Sequence, residues 1–181
     1  MAAHETARSR RAFLTGQSVA TIATAKSHAP RPPWTLPEST FAAACTGCGE
    51  CVTACPEGIL YIDDGKLAAV DFRRGGNQCS FCGACAEICA EPAFLAATMR
   101  EVEAPWHLRA MIGAACLTHS GVMCQSCKDA CGDGAIRFAY GASRIPQPAV
   151  DLARCTGCGA CAAPCPAEAI TLFELEPTHA S

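Results

Sequence analysis

The residues most able to do chemistry are the cysteines, of which the 181-residue chain contains 16. They fall into four sets of four, and within most sets neighbouring cysteines are separated by two or three residues. Spacing this tight brings several thiolates to one point, which is typical of metal binding. The four motifs are Cys45-x2-Cys48-x2-Cys51-x3-Cys55, Cys79-x2-Cys82-x2-Cys85-x3-Cys89, Cys116-x7-Cys124-x2-Cys127-x3-Cys131 and Cys155-x2-Cys158-x2-Cys161-x3-Cys165.

Three kinds of cysteine chemistry are compatible with this abundance. Disulfides staple distant segments of small secreted domains, and the repeated short spacing argues against them. Structural zinc sites usually take two C-x2-C pairs around a longer spacer, whereas these are triplets with a fourth cysteine three residues on. The run C-x2-C-x2-C-x3-C-P, complete in motifs one and four, is the pattern that binds [4Fe–4S] clusters. The sequence therefore predicts four [4Fe–4S] clusters.

The fourth cysteine of each run is predicted to bind the cluster of the neighbouring motif, as in bacterial two-cluster ferredoxins. The wide gap in motif three makes its cluster the least regular, and His119 within that gap is an alternative ligand. The predicted ligand sets are Cys45, Cys48, Cys51 with Cys89; Cys79, Cys82, Cys85 with Cys55; Cys116, Cys124, Cys127 with Cys165; and Cys155, Cys158, Cys161 with Cys131.

Composition supports a core that is not made of hydrocarbon alone. Leu, Ile, Val and Phe total 31 of 181 residues, a level typical of chains that cannot offset their conformational entropy. Either the chain is largely disordered or clusters fill its core, and in the second case the metal-free chain is expected to be unfolded. The net charge of −3 gives no basic footprint for nucleic acid. Four clusters would lower it to roughly −11.

The motifs repeat at a fixed step, which predicts a duplicated architecture. Cys55 to Cys79 and Cys131 to Cys155 are both steps of 24 positions. We therefore predict a small α+β fold of two tandem bacterial-type 2[4Fe–4S] ferredoxin-like modules, the first at 41–103 and the second at 104–181. A hairpin is expected over 59–70, a closing strand over 169–175, and at most one helical turn after the third cysteine of each motif.

Residues 1–40 contain no cysteine and are predicted to form an extended tail, because prolines 30, 32, 33 and 37 favour open chain. Trp34 is either a docking anchor for a partner or a cap on the first module, and packing against the chain itself is favoured. Residues 9–14 (SRRAFL) look like a twin-arginine export signal, but the stretch behind them is a poor apolar segment. We interpret them as an uncleaved basic tail. No apolar run is long enough to predict a transmembrane helix.

The whole chain resembles the NapF family, the ferredoxin-type proteins of periplasmic nitrate reductase systems. The cysteine repeats alone would match many polyferredoxins, whereas the tail and the wide third motif are more specific. The chain departs from the pattern at Ala90, where proline would follow the last cysteine of motif two. The resemblance is carried by residues 9–16 (SRRAFLTG), 31–34 (RPPW), 79–86 (CSFCGACA), 147–148 (QP) and 155–163 (CTGCGACAA), and by the Cys116-x7-Cys124 spacing.

The resemblance implies a cytoplasmic accessory protein that contacts the catalytic molybdoenzyme subunit of periplasmic nitrate reductase. Its implied role is to assist maturation of that subunit, including cluster assembly, before export. Two alternatives stay open: an electron-transfer polyferredoxin that donates electrons to a redox enzyme, and a subunit of a larger redox enzyme. In each case the chain is expected to be non-catalytic, since no reaction site accompanies the clusters.

Overall fold

The computed structural model describes residues 29–76, 78–141 and 144–175, so the twin-arginine-like segment lies outside the described residues. Within these ranges every regular element is short, and none of the helices is long and apolar enough to cross a membrane. The helices are α1 (Glu38–Ala44), α2 (Glu50–Ala54), α3 (Ala84–Glu87), α4 (Ala97–Arg100) and α5 (Ser126–Asp129). The strands are β1 (Leu60–Ile62), β2 (Ala68–Val70), β3 (Leu108–Ile112), β4 (Ile136–Ala139), β5 (Gln147–Val150) and β6 (Ile170–Glu174).

The strands pair in three antiparallel two-stranded sheets, β1 with β2, β4 with β5 and β3 with β6. The hairpin predicted between motifs one and two is confirmed, with Leu60 opposite Val70 and Ile62 opposite Ala68. The predicted closing strand is confirmed as β6. Its partner β3 was not predicted, because the two strands lie about sixty residues apart and no local turn joins them.

The two halves of the chain repeat the same arrangement around their cysteine motifs. In each half an antiparallel pair lies between the two motifs, formed by β1 and β2 and then by β4 and β5. A second pairing joins the chain before the first motif to the chain after the second. In the second half this is β3 with β6, and in the first half it is the single bridge between Thr35 and Phe94. The predicted α+β class is confirmed.

The predicted single helical turns match the structure. Helices α2, α3 and α5 each begin just before the third cysteine of motifs one, two and three and end within a few residues. The corresponding part of motif four, residues 160–164, forms turns. Helix α1 was not predicted, and its buried Phe41 is among the largest fully buried side chains of the described residues.

The proline-rich segment 29–37 packs along the first module. Its Pro30 carbonyl accepts a hydrogen bond from the Val70 amide at 2.8 Å, and the Leu36 amide donates to the Ala93 carbonyl at 3.0 Å. The indole Nε1 of Trp34 donates to the Glu103 carbonyl at 3.2 Å. The expectation that Trp34 packs against the chain itself is therefore confirmed.

Arg31 fastens this segment to the first module through its guanidinium. It donates to Glu38 at 2.8 Å, to Asp63 at 2.7 Å and to the Ala68 carbonyl at 3.2 Å. The side chain is 11 % exposed and lies 5.6 Å from the centre of the Phe41 ring. Burial raises the pKa of Asp63, but the Leu67 amide and Arg31 together lower it below the ordinary 3.8. This stabilisation is complete above that ordinary value and is lost as the pH falls through the lowered pKa.

Replacing Arg31 by Ala is expected to lower the free energy of unfolding of the cluster-loaded protein by about 1–3 kcal/mol. The lower end allows for the partial exposure of the two carboxylates, and the upper end reflects a buried charge left without its partner. Denaturant unfolding at neutral pH measures the change. The matched control is Arg74→Ala, which removes an exposed pair with Asp71 and should cost below about 1 kcal/mol. Equal costs for the two variants would contradict the role of Arg31.

Candidate metal centres

Three cavities of the described structure are each lined by four cysteines. In every one of them, three cysteines come from one motif and the fourth comes from the other motif of the same module. This is the grouping that the sequence predicts. The sets are Cys45, Cys48, Cys51 with Cys89; Cys116, Cys124, Cys127 with Cys165; and Cys155, Cys158, Cys161 with Cys131.

The cysteines of the fourth predicted set influence one another electrostatically, which indicates that they also lie close together. The pKa of Cys85 is raised to about 12, mainly by burial and in addition by the charges of Cys79, Cys51, Cys55 and Cys82. Cys55, from motif one, is thus close enough to Cys85 and Cys79 of motif two to raise the pKa of both.

Burial has the same effect on cysteines in the other sites. It is the largest cause that raises the pKa of Cys51 and Cys127 to about 11 and that of Cys161 to about 12. Neighbouring thiols add to the shift, because each disfavours a negative charge on the next. These three thiols, when metal-free, are therefore protonated at neutral pH, and positive metal must compensate their charges before they can ionise together.

Glycines let the backbone wrap tightly around these cavities. Gly47, in motif one, has φ of +68°, and a Cβ there would overlap the Lys66 carbonyl oxygen. Gly157, at the same place in motif four, has φ of +76°, and a Cβ would overlap the Leu108 carbonyl oxygen. Both positions need a residue without a side chain, because both the φ angle and the neighbouring carbonyl oxygen forbid one.

The wide third motif folds its insertion away from the cavity. The loop closes through a hydrogen bond from the Val122 amide to the Leu117 carbonyl at 2.9 Å. Thr118, 1 % exposed, donates from its hydroxyl to the Cys124 carbonyl at 3.2 Å. Cys116 is buried and joins the other three cysteines, whereas His119 is exposed and is not among the residues lining that cavity.

Backbone amides point at several of the cysteine sulfurs. The Phe81 amide donates to Cys79 Sγ at 3.4 Å, and the Ala110 amide donates to Cys155 Sγ at 3.5 Å. The Ala135 and Ala169 amides donate at 3.3 Å to the fourth cysteines of the second module, Cys131 and Cys165. Such bonds stabilise thiolates and tune the potential of an iron–sulfur cluster. The all-thiol donor sets and these amides fit [4Fe–4S] clusters.

The four cluster sites differ from a site for a single metal ion. Within the described ranges, no three or more His, Cys, Asp or Glu side chains form a group that could hold one metal ion.

A family model described as the 4Fe-4S dicluster domain matches the chain twice, at residues 44–94 and 122–169. Fold and sites thus define an iron–sulfur protein of the ferredoxin type, with two tandem modules and [4Fe–4S] clusters as its cofactors. Two dicluster domains and sixteen cysteines account for four clusters.

Comparison with similar proteins shows which family within this class the chain resembles. The chain is 43 % identical over 163 residues to the ferredoxin-type protein NapF of Escherichia coli (strain K12), covering 90 % of this chain and 93 % of that protein. It is 36 % identical over 146 residues to the ferredoxin-type protein NapF of Haemophilus influenzae, covering 81 % and 80 %. A methylamine utilization ferredoxin-type protein, MauM of Paracoccus denitrificans, is 34 % identical over 166 residues, covering 84 % and 74 %. The chain belongs to the NapF family.

Proposed function

We propose that this protein assists the maturation of the catalytic molybdoenzyme subunit of periplasmic nitrate reductase, in the cytoplasm and before that subunit is exported. Membership of the NapF family supports this proposal, and so does the resemblance of the tail and third motif to that family. Contact with the immature subunit and help with its iron–sulfur cluster assembly are parts of the same proposal.

We further propose that the sixteen cysteines hold the four clusters in four sets. Three of these sets line the cavities described above, and the fourth is indicated by the raised pKa of Cys85. When bound, a [4Fe–4S] cluster supplies single-electron chemistry. The protein's residues supply thiolates, backbone N–H donors to sulfur and a buried setting that limits contact with water. Positive φ at Gly49 and Gly83 allows the loop to turn into α2 and α3, so that Cys51 and Cys85 point inward.

The observation that carries the proposal is the exposure of one cysteine in each site of the first module. Cys48 and Cys82 are exposed, while Cys51 and Cys85 in the same two sites are buried. A partner that docks over the exposed cysteines therefore comes close to the metal without the module having to open. Both delivery of a cluster and transfer of an electron require that proximity.

Loss of the protein is expected to lower the iron content of the nitrate reductase catalytic subunit. The subunit is isolated from a strain lacking this gene and from its parent, and its iron and molybdenum are measured. Complementation with the natural chain should restore the iron, whereas a chain with Cys45, Cys48 and Cys51 replaced by Ser should not. Thr46→Ser, on the same loop, is the matched control. A fully loaded subunit from both strains would overturn the maturation role.

Electron transfer to a redox enzyme is the second candidate function. It is favoured by a specific contact, the hydrogen bond from the Cys79 amide to the Cys158 carbonyl, which places one site of the first module beside one of the second. A carrier that passes electrons between modules needs such a contact, whereas a maturation factor does not. In the deletion experiment, an iron-replete subunit with slower reduction would select this candidate.

A further inference from the structure

The two modules meet at motif two and motif four, not at motifs adjacent in sequence. The amide of Cys79 donates to the carbonyl of Cys158 at 2.8 Å. Both residues are predicted cluster ligands, one in each module. A single main-chain hydrogen bond therefore connects the edge of one metal site to the edge of another.

Aromatic side chains seal this contact. The Trp106 ring lies between Phe72 and Phe81, with ring centres 5.8 Å and 5.7 Å away and both pairs edge to face. Its indole Nε1 donates to the Thr156 carbonyl, within the loop of motif four, at 3.0 Å. Trp106 and Phe72 are 9 % and 6 % exposed. Burial to this extent and a hydrogen-bonded indole N–H are properties of a well-packed interface.

A glycine in motif four permits the close approach. Gly159 has φ of +84°, and a Cβ there would overlap the ring of Phe72. The corresponding glycine of motif one, Gly49, has φ of +83°, but a Cβ there would meet no atom within 4 Å. The two positions have the same backbone conformation, so only the contact with the other module distinguishes them.

We propose that this contact arranges the four cluster sites as one unbranched row, in the order motif one, motif two, motif four and motif three. Within each module the crossed fourth cysteine already makes two sites neighbours, and the Cys79–Cys158 contact joins the modules at the middle of the row. The two central sites couple electronically across the module boundary, and the sites of motifs one and three form its ends. This inference rests on the ligand sets of the proposed function.

Two variants of the full chain separate the central pair from the ends. The central-pair variant keeps the sites of motifs two and four, because Ser replaces Cys45, Cys48, Cys51, Cys89, Cys116, Cys124, Cys127 and Cys165. The end-pair variant keeps the sites of motifs one and three, because Ser replaces Cys55, Cys79, Cys82, Cys85, Cys131, Cys155, Cys158 and Cys161. Each reconstituted variant should hold about eight iron atoms, and electron paramagnetic resonance of the reduced protein then reports magnetic coupling.

We expect coupled spectra from the central-pair variant and two independent signals from the end-pair variant. An uncoupled central pair with about eight iron atoms, or end-pair coupling of equal strength, overturns the row but leaves the ligand sets intact. Iron well below this number in a variant that circular dichroism shows to be folded contradicts the ligand sets instead. The two failures are therefore distinguishable.

A second measurement tests the contact without removing any cluster. In the full four-cluster protein, hydrogen exchange at the Cys79 amide is expected to be several-fold faster in Gly159→Ala than in the natural chain. Gly49→Ala carries the same backbone strain and should leave that exchange unchanged. Equal exchange in all three proteins, or equal acceleration by both substitutions, overturns the proposed contact even if the cysteine variants do not fold.

Discussion

Chelating the iron from the reconstituted protein under anaerobic conditions is expected to unfold it, with loss of most of its far-UV circular dichroism. The physical reason is the small apolar core. Of 181 residues only 31 are Leu, Ile, Val or Phe. Among the described residues the buried ones of these types are Phe41, Ile59, Leu60, Val70, Phe72, Leu108, Ile136 and Ile170. Burial of so little hydrocarbon does not offset the entropy of ordering the chain.

The structure indicates what the clusters contribute in its place. Each cysteine set draws together two motifs whose nearest cysteines lie 24 positions apart, so metal ligation closes loops that the short strands alone hold weakly. The metal-free thiols do not take over this role, because all sixteen cysteines are free and no bond links the thiols of one motif to those of the other. We therefore expect metal binding and folding to be one equilibrium.

Circular dichroism before and after chelation measures this effect, and adding iron and sulfide back should restore the signal. The control is chelator added to the protein together with excess iron, which should change nothing. Ellipticity that survives complete removal of iron would refute the prediction, because it would show that side-chain packing alone suffices.

The second large effect concerns the crossed fourth cysteines of the first module. In a background where Cys79, Cys82 and Cys85 are Ser, this module keeps one site, and the whole chain should hold about twelve iron atoms. Adding Cys89→Ser is expected to remove about four more, because Cys89 lines the cavity of Cys45, Cys48 and Cys51. Iron and acid-labile sulfide analysis of the anaerobically purified chains measures the loss.

Cys55→Ser in the same background is the matched control. Cys55 lies only three residues beyond Cys51 in sequence, yet the structure places it with the motif-two cysteines that the background has already lost. Its substitution should leave the iron content unchanged. The opposite result, with iron lost on changing Cys55 and kept on changing Cys89, would show that each motif binds its own cluster with its own four cysteines.

The chemistry of this protein follows from local spacing. In motifs one, two and four, three cysteines within seven residues converge on one point in any fold that keeps the loop tight, so these triplets and their metal type were predictable. The hairpin of β1 and β2 was equally predictable, since Asp63–Lys66 is a turn between two short apolar strands. Each of these features depends on residues that are near one another in sequence.

The contacts between residues distant in sequence could be found only in the tertiary structure. Arg31 reaches Asp63, β3 pairs with β6, and Cys79 meets Cys158 across the module boundary. Sequence periodicity does not predict such contacts, because each depends on the shape and burial of segments that lie tens of residues apart. The sequence thus predicts the kind of metal centre, whereas the proposed order of the sites along the molecule depends on the Cys79–Cys158 contact between the modules, which only the folded chain reveals.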